Sequence, residues 1–303
     1  MKVANFETSD GLRQGIGIVT DTGLLDFGRA LQAYEAIMGE IPDEYTSIQQ
    51  MIEAGTFEPD LFRRVMDFSE ASGLVSHLAV PQPYRLLAPI PRPPAIYGLG
   101  RNFPAHALEH AGQIPSEPIV FAKAPTSVIG PDEPVVYKRF LTRVDPEAEL
   151  AVIIGRTGSN IPESEAAGFI AGYTIVNDVT ARDIQTQDLA QAKPWLRSKG
   201  MDTFCPMGPC VLLPDELDEP VELEVGMHVN GELRQRDNTR NLTFKIPYLI
   251  SWISRFITLY PGDVIATGTP EGMKPVVPGD VMEAYVEKIG VLRNPVVAEK
   301  NER

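Results

Sequence analysis

The segment 144–178 constrains this chain most: it reads VDPEAELAVIIG, then a loop and a helical stretch, then the apolar run IAGYTIV closed by Asn177-Asp178. Side chains of an extended strand alternate faces with period 2, so Asp145, Glu147 and Glu149 are expected on one side and Val144, Ala148 and Leu150 on the other. A strand apolar enough to be buried thus carries a column of carboxylates. Two such groups about 7 Å apart repel by roughly 2 kcal/mol at an effective dielectric near 20, and burial adds to the cost of ionising them. Positive charge has to answer them. A hard divalent cation is one solution, because Mg²⁺, Mn²⁺ and Ca²⁺ take oxygen ligands and Asp178 offers a third carboxylate. The other is a solvated edge face answered by Arg or Lys.

At 303 residues the chain can bury a sizeable core and hold two domains, one of them larger. Its 43% hydrophobic and 22% charged residues are those of a globular protein. No apolar run approaches the roughly 20 residues of a membrane span. The start MKVANFETSD has no apolar signal core, so a cytoplasmic protein is expected. Cys205 and Cys210, the only cysteines, lie too near each other to close a useful loop and read as reduced thiols. A formal charge of -14 opposes nucleic acid and anionic lipid as partners. It leaves open a small anionic substrate, which meets only the local field.

Residues 2–27 alternate as a small antiparallel unit, KVANFE, QGIGIVT and GLLDF, with Thr20-Asp21-Thr22-Gly23 as its turn. Apolar residues three or four apart then predict helices over 28–38, 47–54 and 59–74, the last marked by Leu61, Val65 and Phe68. Six prolines fall within 81–94, which forbids helix and predicts an extended connector from a small N-terminal domain, 1–80, to a second domain, 95–303. In the second domain VELEVGMHVNGELRQ alternates around Asn230-Gly231 as a hairpin, with His228 half-exposed on it. A helix over 244–256 would stripe Ile246, Leu249, Ile250 and Ile253 toward the core, with Trp252 packing beside them. Pro261-Gly262-Asp263 turns the chain into VIATGTPEG, and Pro278-Gly279-Asp280 leads to the last strand.

Four further stretches bear on chemistry. GLG followed by Arg101-Asn102-Phe103 lacks the third glycine of a dinucleotide fingerprint, which excludes that motif. RNFPAHALEHA reads as a short helix begun by Pro104, with His106, Glu109 and His110 on one face. HALEH matches H-x-x-E-H, the inverted zinc-peptidase pattern. A His106/Glu109 pair, in which the carboxylate raises the basicity of the imidazole, is the competing functional reading, and spacing alone favours a solvated helix face over both. VNDVTARDIQ starts a helix around Thr180 with Arg182 and Gln185 three apart on one face, and a helix N-terminus beside an acid suits an anion or a metal. WLRSKGMDTFCPMGP is too rich in Gly and Pro for regular structure, and Lys199 within it reads alone as a surface lysine. The TGTP turn offers closely spaced N–H groups and the Thr269 hydroxyl to a carboxylate, or is only a tight turn.

Taken together these segments resemble the fumarylacetoacetate hydrolase family, from about residue 96 to about residue 295 in unbroken motif order. GLGRNFPAHALEH is similar to the family's G-x-N-Y-x-x-H-x-x-E segment, and VDPEAELAVIIG to its D-x-E-x-E-L-A-V-V-I-G strand. VNDVTARDIQ, KGMDTFCPMGP and GDVIATGTPEG follow at familiar spacing. The resemblance implies an α+β fold, a β-rich mixed-sheet roll with a small N-terminal α+β domain, usually a homodimer. It implies Mg²⁺ or Mn²⁺ held by Glu147, Glu149 and Asp178, a catalytic His106/Glu109 dyad, and Lys199 facing a developing oxyanion. Arg182, Gln185 and Thr269 are the implied substrate contacts, and His110 has no implied role. Phe103-Pro104-Ala105 departs from the family's commoner Tyr-Ala-Asp. The implied chemistry is metal-dependent cleavage of a carbon–carbon bond in a short 2-oxo (2,4-dioxo) acid, of the acylpyruvate or fumarylpyruvate hydrolase type. Decarboxylation of oxaloacetate, or isomerisation or hydration of a 2-oxo acid, would use the same site. A zinc peptidase on HALEH and a cation-binding protein without catalysis are the readings from other classes.

Overall fold

The structure, a computed structural model, describes residues 1–39, 44–111 and 113–300, with the side chains of His110 and Ala111 outside the described set. The alternating N-terminal segments form the strands Lys2–Thr8, Gln14–Thr20 and Gly23–Asp26. The three predicted helices follow as Phe27–Met38, Ile48–Ala54 and Pro59–Ala71. Asp26 and Ser47 begin the first two by accepting the N–H groups of Arg29 and Gln50, which would otherwise lack an intrahelical partner. Within the proline-rich stretch, Tyr84–Leu87 pairs with Lys2–Thr8, an edge position that prolines on either side tolerate.

These strands do not stand apart. Lys2–Thr8 pairs antiparallel with Cys205–Leu212, placing Val3 opposite Val211, and so extends an 11-stranded sheet. From Cys205–Leu212 the sheet continues through Ile170–Asn177, Ala148–Ile154, Val264–Ala266, Ile96–Gly100 and Ile119–Lys123. The apolar runs AELAVII and IAGYTIVN lie at its centre and are buried at every residue, so both of their faces are covered. Ala151 and Ile153 pack on one face with Phe27, Leu31, Ile52, Phe62 and Val65 of the N-terminal helices. Leu150, Val152 and Ile154 pack on the other with a second sheet and the Ile246–Ser254 helix. Each such aliphatic side chain contributes about 1.5–3 kcal/mol by leaving water.

The second sheet has five strands in the order Glu232–Asn238, Glu224–Val229, Val281–Val286, Gly290–Ala298 and Val135–Tyr137. Its first pair is the predicted hairpin, with Asn230 at φ 53° and Gly231 at φ 79° supplying the two positive values that a tight two-residue turn requires. The Pro278-Gly279-Asp280 turn leads to two strands where one was expected, because Val286 and Gly290 pair and fold the apolar tail back as a hairpin. The architecture is thus the expected β-rich α+β roll. No helix among the described residues is long and apolar enough to cross a membrane.

Candidate metal centre and active site

Pro146 breaks the expected acidic strand in two. It has no N–H to give to a ladder. Upstream, Val144–Asp145 pairs with Thr180–Ala181 in a small sheet of its own, whereas downstream Ala148–Ile154 pairs with Ile170–Asn177 in the large one. Asp145 therefore leaves the column predicted for it: it is buried, but against Arg143 Nε at 2.9 Å and Arg182 Nε at 2.8 Å. Glu147 sits in the break, where its N–H donates to Asn177 Oδ1 at 2.9 Å and its carbonyl accepts from Asp178 N at 2.8 Å. That interlock brings the end of one strand to the start of the other. Carboxylate oxygens of Glu147, Glu149 and Asp178 all lie within 4.8 Å of one another, and all three residues are buried, which excludes the solvated-edge reading.

Cations nevertheless answer part of this charge. Glu147 accepts from Lys199 Nζ at 2.7 Å, from Thr180 Oγ1 at 3.2 Å and from Arg182. Asp178 accepts from Lys123 Nζ at 2.6 Å on one oxygen and from Lys199 on the other. Burial alone would raise the Glu147 carboxyl, but Lys199 and Arg182 outweigh it and hold the group well below the usual carboxylate range. Burial likewise opposes the charge on Lys199, and Asp178 and Glu147 overcome it, so the ammonium persists. Glu149 differs. It receives the Gly268 N–H at 2.8 Å and, among the described residues, no direct cation contact. Burial, then Asp178, then Glu147 push its carboxyl well above the usual range. An all-oxygen donor set with one member that ionises only at a cost fits a hard divalent cation better than it fits the lysines alone.

Beside the three carboxylates lies a cavity of about 200 Å³, whose walls include Arg101, His106, Glu147, Arg182, Lys199 and Thr269. At about 30 Å³ per water this is room for roughly seven waters, or for a small organic acid. His106 is buried on the Pro104–Ala111 helix, while Glu109 one turn on is exposed and accepts from Gly272 N at 3.4 Å. The Arg182–Ala190 helix brings Arg182 and Gln185 to the cavity, hydrogen-bonded to each other as their spacing predicts. Lys199 is no surface lysine: it ends a single helical turn, Leu196–Lys199, in the stretch read as irregular. The turn forms because Trp195, whose ring packs 5.4 Å from that of Phe121, offers its carbonyl to both Ser198 and Lys199. Thr269 is held by Gln235 Nε2 at 2.9 Å. The side chain of His110, needed for a zinc site on HALEH, lies outside the described residues. The described residues contain one cluster of three potential ligands, and HALEH contributes nothing to it.

Three further residues, none of them a candidate from the sequence, contribute to the site. Lys123 closes the Ile119–Lys123 strand, is fully buried, and besides Asp178 donates to the carbonyls of Val179 and Lys199. A lone lysine ending an apolar run was the available signal. Gln235 comes from the second sheet and links the two sides of the site, accepting from Ala148 N at 3.2 Å and donating to Thr269 and Pro270. In the polar strand ELRQRDN nothing marked it. Asn102 donates to the carbonyls of Phe244 and Thr267 and accepts from Phe244 N, pinning the 101–103 segment to the TGTP turn. There Gly268, at φ 102°, leaves no space for a side chain: a Cβ would lie 2.9 Å from that of Asn102.

Residues 95–297 match the fumarylacetoacetate (FAA) hydrolase C-terminal domain. Over 306 aligned residues the chain is 36% identical to the mitochondrial oxaloacetate tautomerase fahd2 of Xenopus laevis, covering 98% of this chain and 90% of that one. A fumarylacetoacetate hydrolase of Exiguobacterium antarcticum superposes with a TM-score of 0.79 at 32% identity, over 99% of this chain and all of the other. Maleylpyruvate hydrolase of Sphingobium, solved with manganese and pyruvate, superposes with a TM-score of 0.75 at 29% identity over the same share of both chains. By its sequence motifs, its fold and these relatives, the chain belongs to the fumarylacetoacetate hydrolase family of enzymes.

Proposed function

We propose that this enzyme cleaves a carbon–carbon bond of a short 2-oxo (2,4-dioxo) acid, as an acylpyruvate or fumarylpyruvate hydrolase does. The observation that carries the reading is the cluster of three buried carboxylates, one of which, Glu147, lines with Lys199 a cavity that His106 also lines. Glu147, Glu149 and Asp178 would hold Mg²⁺ or Mn²⁺, which when bound supplies Lewis acidity to the adjacent carboxylate and 2-oxo oxygens of the substrate. Manganese and pyruvate together in the Sphingobium hydrolase support both halves of that statement.

The chain's own groups then divide the work. His106 takes a proton from water, with Glu109 raising the basicity of the imidazole, and the water oxygen bonds to the 4-oxo carbon. The bond from that carbon to C3 breaks, its electron pair passes to C3 and the 2-oxo oxygen, and the Lys199 ammonium stabilises the charge that develops there. Return of a proton to C3 completes pyruvate. Arg182, Gln185 and Thr269 orient the substrate by hydrogen bonds from one helix and one turn. Residues 95–303 form the catalytic unit in this reading, with the strands of 1–80 and of the connector 81–94 extending its sheet and the N-terminal helices covering one face. We further propose a cytoplasmic homodimer, which light scattering and cell fractionation test.

A second reading is favoured by the Xenopus relative: keto–enol exchange of oxaloacetate, in which a proton moves between C3 and the 2-oxo oxygen and no water is consumed. Decarboxylation of oxaloacetate, or isomerisation of another 2-oxo acid, would use the same enolate. The discriminating experiment offers metal-loaded protein acetylpyruvate, fumarylpyruvate and oxaloacetate, and follows pyruvate release and enol absorbance separately. Pyruvate from the first two supports hydrolysis. Enol decay of oxaloacetate without pyruvate replaces it with the tautomerase reading.

A further inference from the structure

Resting on the 2-oxo acid reading, we propose that Arg101 selects the substrate's far end: its guanidinium pairs with a second carboxylate, so that the preferred ligands are dicarboxylic 2-oxo acids.

Three cationic side chains of Arg and Lys line the cavity, and their situations differ. Arg182 is committed to Asp145 and Glu147, and Lys199 to Glu147 and Asp178. Arg101 is half-buried in the wall, and among the described residues nothing hydrogen-bonds or ion-pairs with its guanidinium. A planar five-donor group on a residue that lines the cavity, and that has no acceptor among the described residues, is complementary to a ligand carboxylate, which it can grip through two parallel bonds. Its backbone is also set on purpose. Arg101 has φ 60°, a left-handed value uncommon for a residue with a Cβ, and it is maintained between the end of the Ile96–Gly100 strand and the fourfold-bonded Asn102.

Strand register supplies the distance. Ala151 lies opposite Ala266, and Ala266 opposite Gly98. Carried two residues past Ala266, where the paired strand ends, that register would set Glu149 beside Gly268, whose N–H donates to the Glu149 side chain, and Gly268 beside Gly100. Two steps of about 4.8 Å therefore separate the backbone of Glu149 from that of Gly100, about 10 Å in all. Arg101 follows Gly100 directly. A ligand whose 2-oxo acid end occupies the carboxylate–Lys199 side thus extends its other end toward Arg101, across a gap that two side chains and a short carbon chain fill. An alkyl or methyl ketone end would leave the guanidinium facing water.

The test uses 2-oxoglutarate and 2-oxopentanoate, equal in chain length and differing in the distal carboxylate, titrated calorimetrically into Mg²⁺-loaded protein so that turnover is not needed. Oxalate, which has no far end, serves as the control for an intact site. The wild type is expected to bind 2-oxoglutarate at least about tenfold more tightly than 2-oxopentanoate. Arg101→Gln should erase that preference by weakening 2-oxoglutarate about 10- to 100-fold while oxalate and 2-oxopentanoate stay within about twofold, and Arg101→Lys should restore part of it. In steady-state assays the same variant should raise KM for fumarylpyruvate far more than for acetylpyruvate. A preference that survives Arg101→Gln, its absence from the wild type, or equal weakening of both acids overturns the assignment while leaving the 2-oxo acid reading in place. Failure of the wild type to bind oxalate or either acid overturns that reading and this inference with it.

Discussion

Replacing Lys123 with methionine removes a buried ammonium while nearly conserving the volume of the side chain. Lys123 Nζ serves Asp178 Oδ1 at 2.6 Å, the Val179 carbonyl at 3.4 Å and the Lys199 carbonyl. Asp178 keeps its contact with Lys199 in the variant, so its charge is left half-paired within the protein. Breaking one partner of a buried ion pair costs about 3–5 kcal/mol. With about 2–4 °C of Tm per kcal/mol for a domain of this general size, a loss of about 3 kcal/mol corresponds to a drop of about 6–12 °C in metal-free protein. The sign reverses for cation binding. A unit charge about 4 Å from another is worth about 4 kcal/mol at an effective dielectric near 20, and in the variant that repulsion no longer opposes a divalent ion among the three carboxylates. Thermal unfolding is followed with EDTA and with saturating Mg²⁺ in both proteins. Lys123→Met should be markedly less stable in EDTA, and Mg²⁺ should recover a larger increment in it than in the wild type. Equal stability in EDTA, or equal increments from Mg²⁺, would falsify this account of Lys123 as a counter-charge that competes with the metal.

Substituting His106→Ala or Glu109→Gln should lower kcat for acylpyruvate hydrolysis by about 10²–10⁴ without changing metal content by elemental analysis, and loss of the metal instead would assign these residues to its retention. Glu149→Gln should abolish metal binding and at the same time flatten the pH dependence of stability in metal-free protein. The reasoning is that the folded Glu149 carboxyl lies above its ordinary 4.5, so ionising it weakens the fold as pH rises from that value; a metal-free wild type that gains stability over that range relative to Glu149→Gln would contradict it. Burial pushes the Cys205 and Cys210 thiols up from 9.0 to about 12, so native protein should not react with a thiol reagent near neutral pH while unfolded protein yields both thiols. The same shift means that the folded state holds its protons longer, and stability should decline from about pH 9 toward about pH 12. Rapid labelling of the native protein would show that one thiol is reachable after all.

What the chain determines by itself is whatever repeats over a few residues. Apolar periodicity marked the N-terminal helices, alternation around Asn230-Gly231 marked the hairpin, and two apolar runs, one begun and one closed by acids, marked the centre of the sheet and the carboxylates Glu147, Glu149 and Asp178. Local geometry also carries local exceptions: Pro146 between Asp145 and Glu147 has no N–H for a ladder, and the column breaks there. The counter-charges are another matter. Lys123 reaches Asp178 across 55 positions, and Gln235 reaches Ala148 across 87. Neither has any pattern around it, because a single polar residue contributes nothing to a period and its partner is chosen by which strands become neighbours. The same holds for Lys199, which looks like a surface lysine until the Leu196–Lys199 turn and the Phe121–Trp195 contact bury it. Arg101 is a loop arginine until the order of three strands brings it into the wall of the cavity that Glu147 and Lys199 also line. The sequence determines where charge is costly; only the tertiary structure decides which distant group answers it, since that choice rests on strand order and register, which no short window contains.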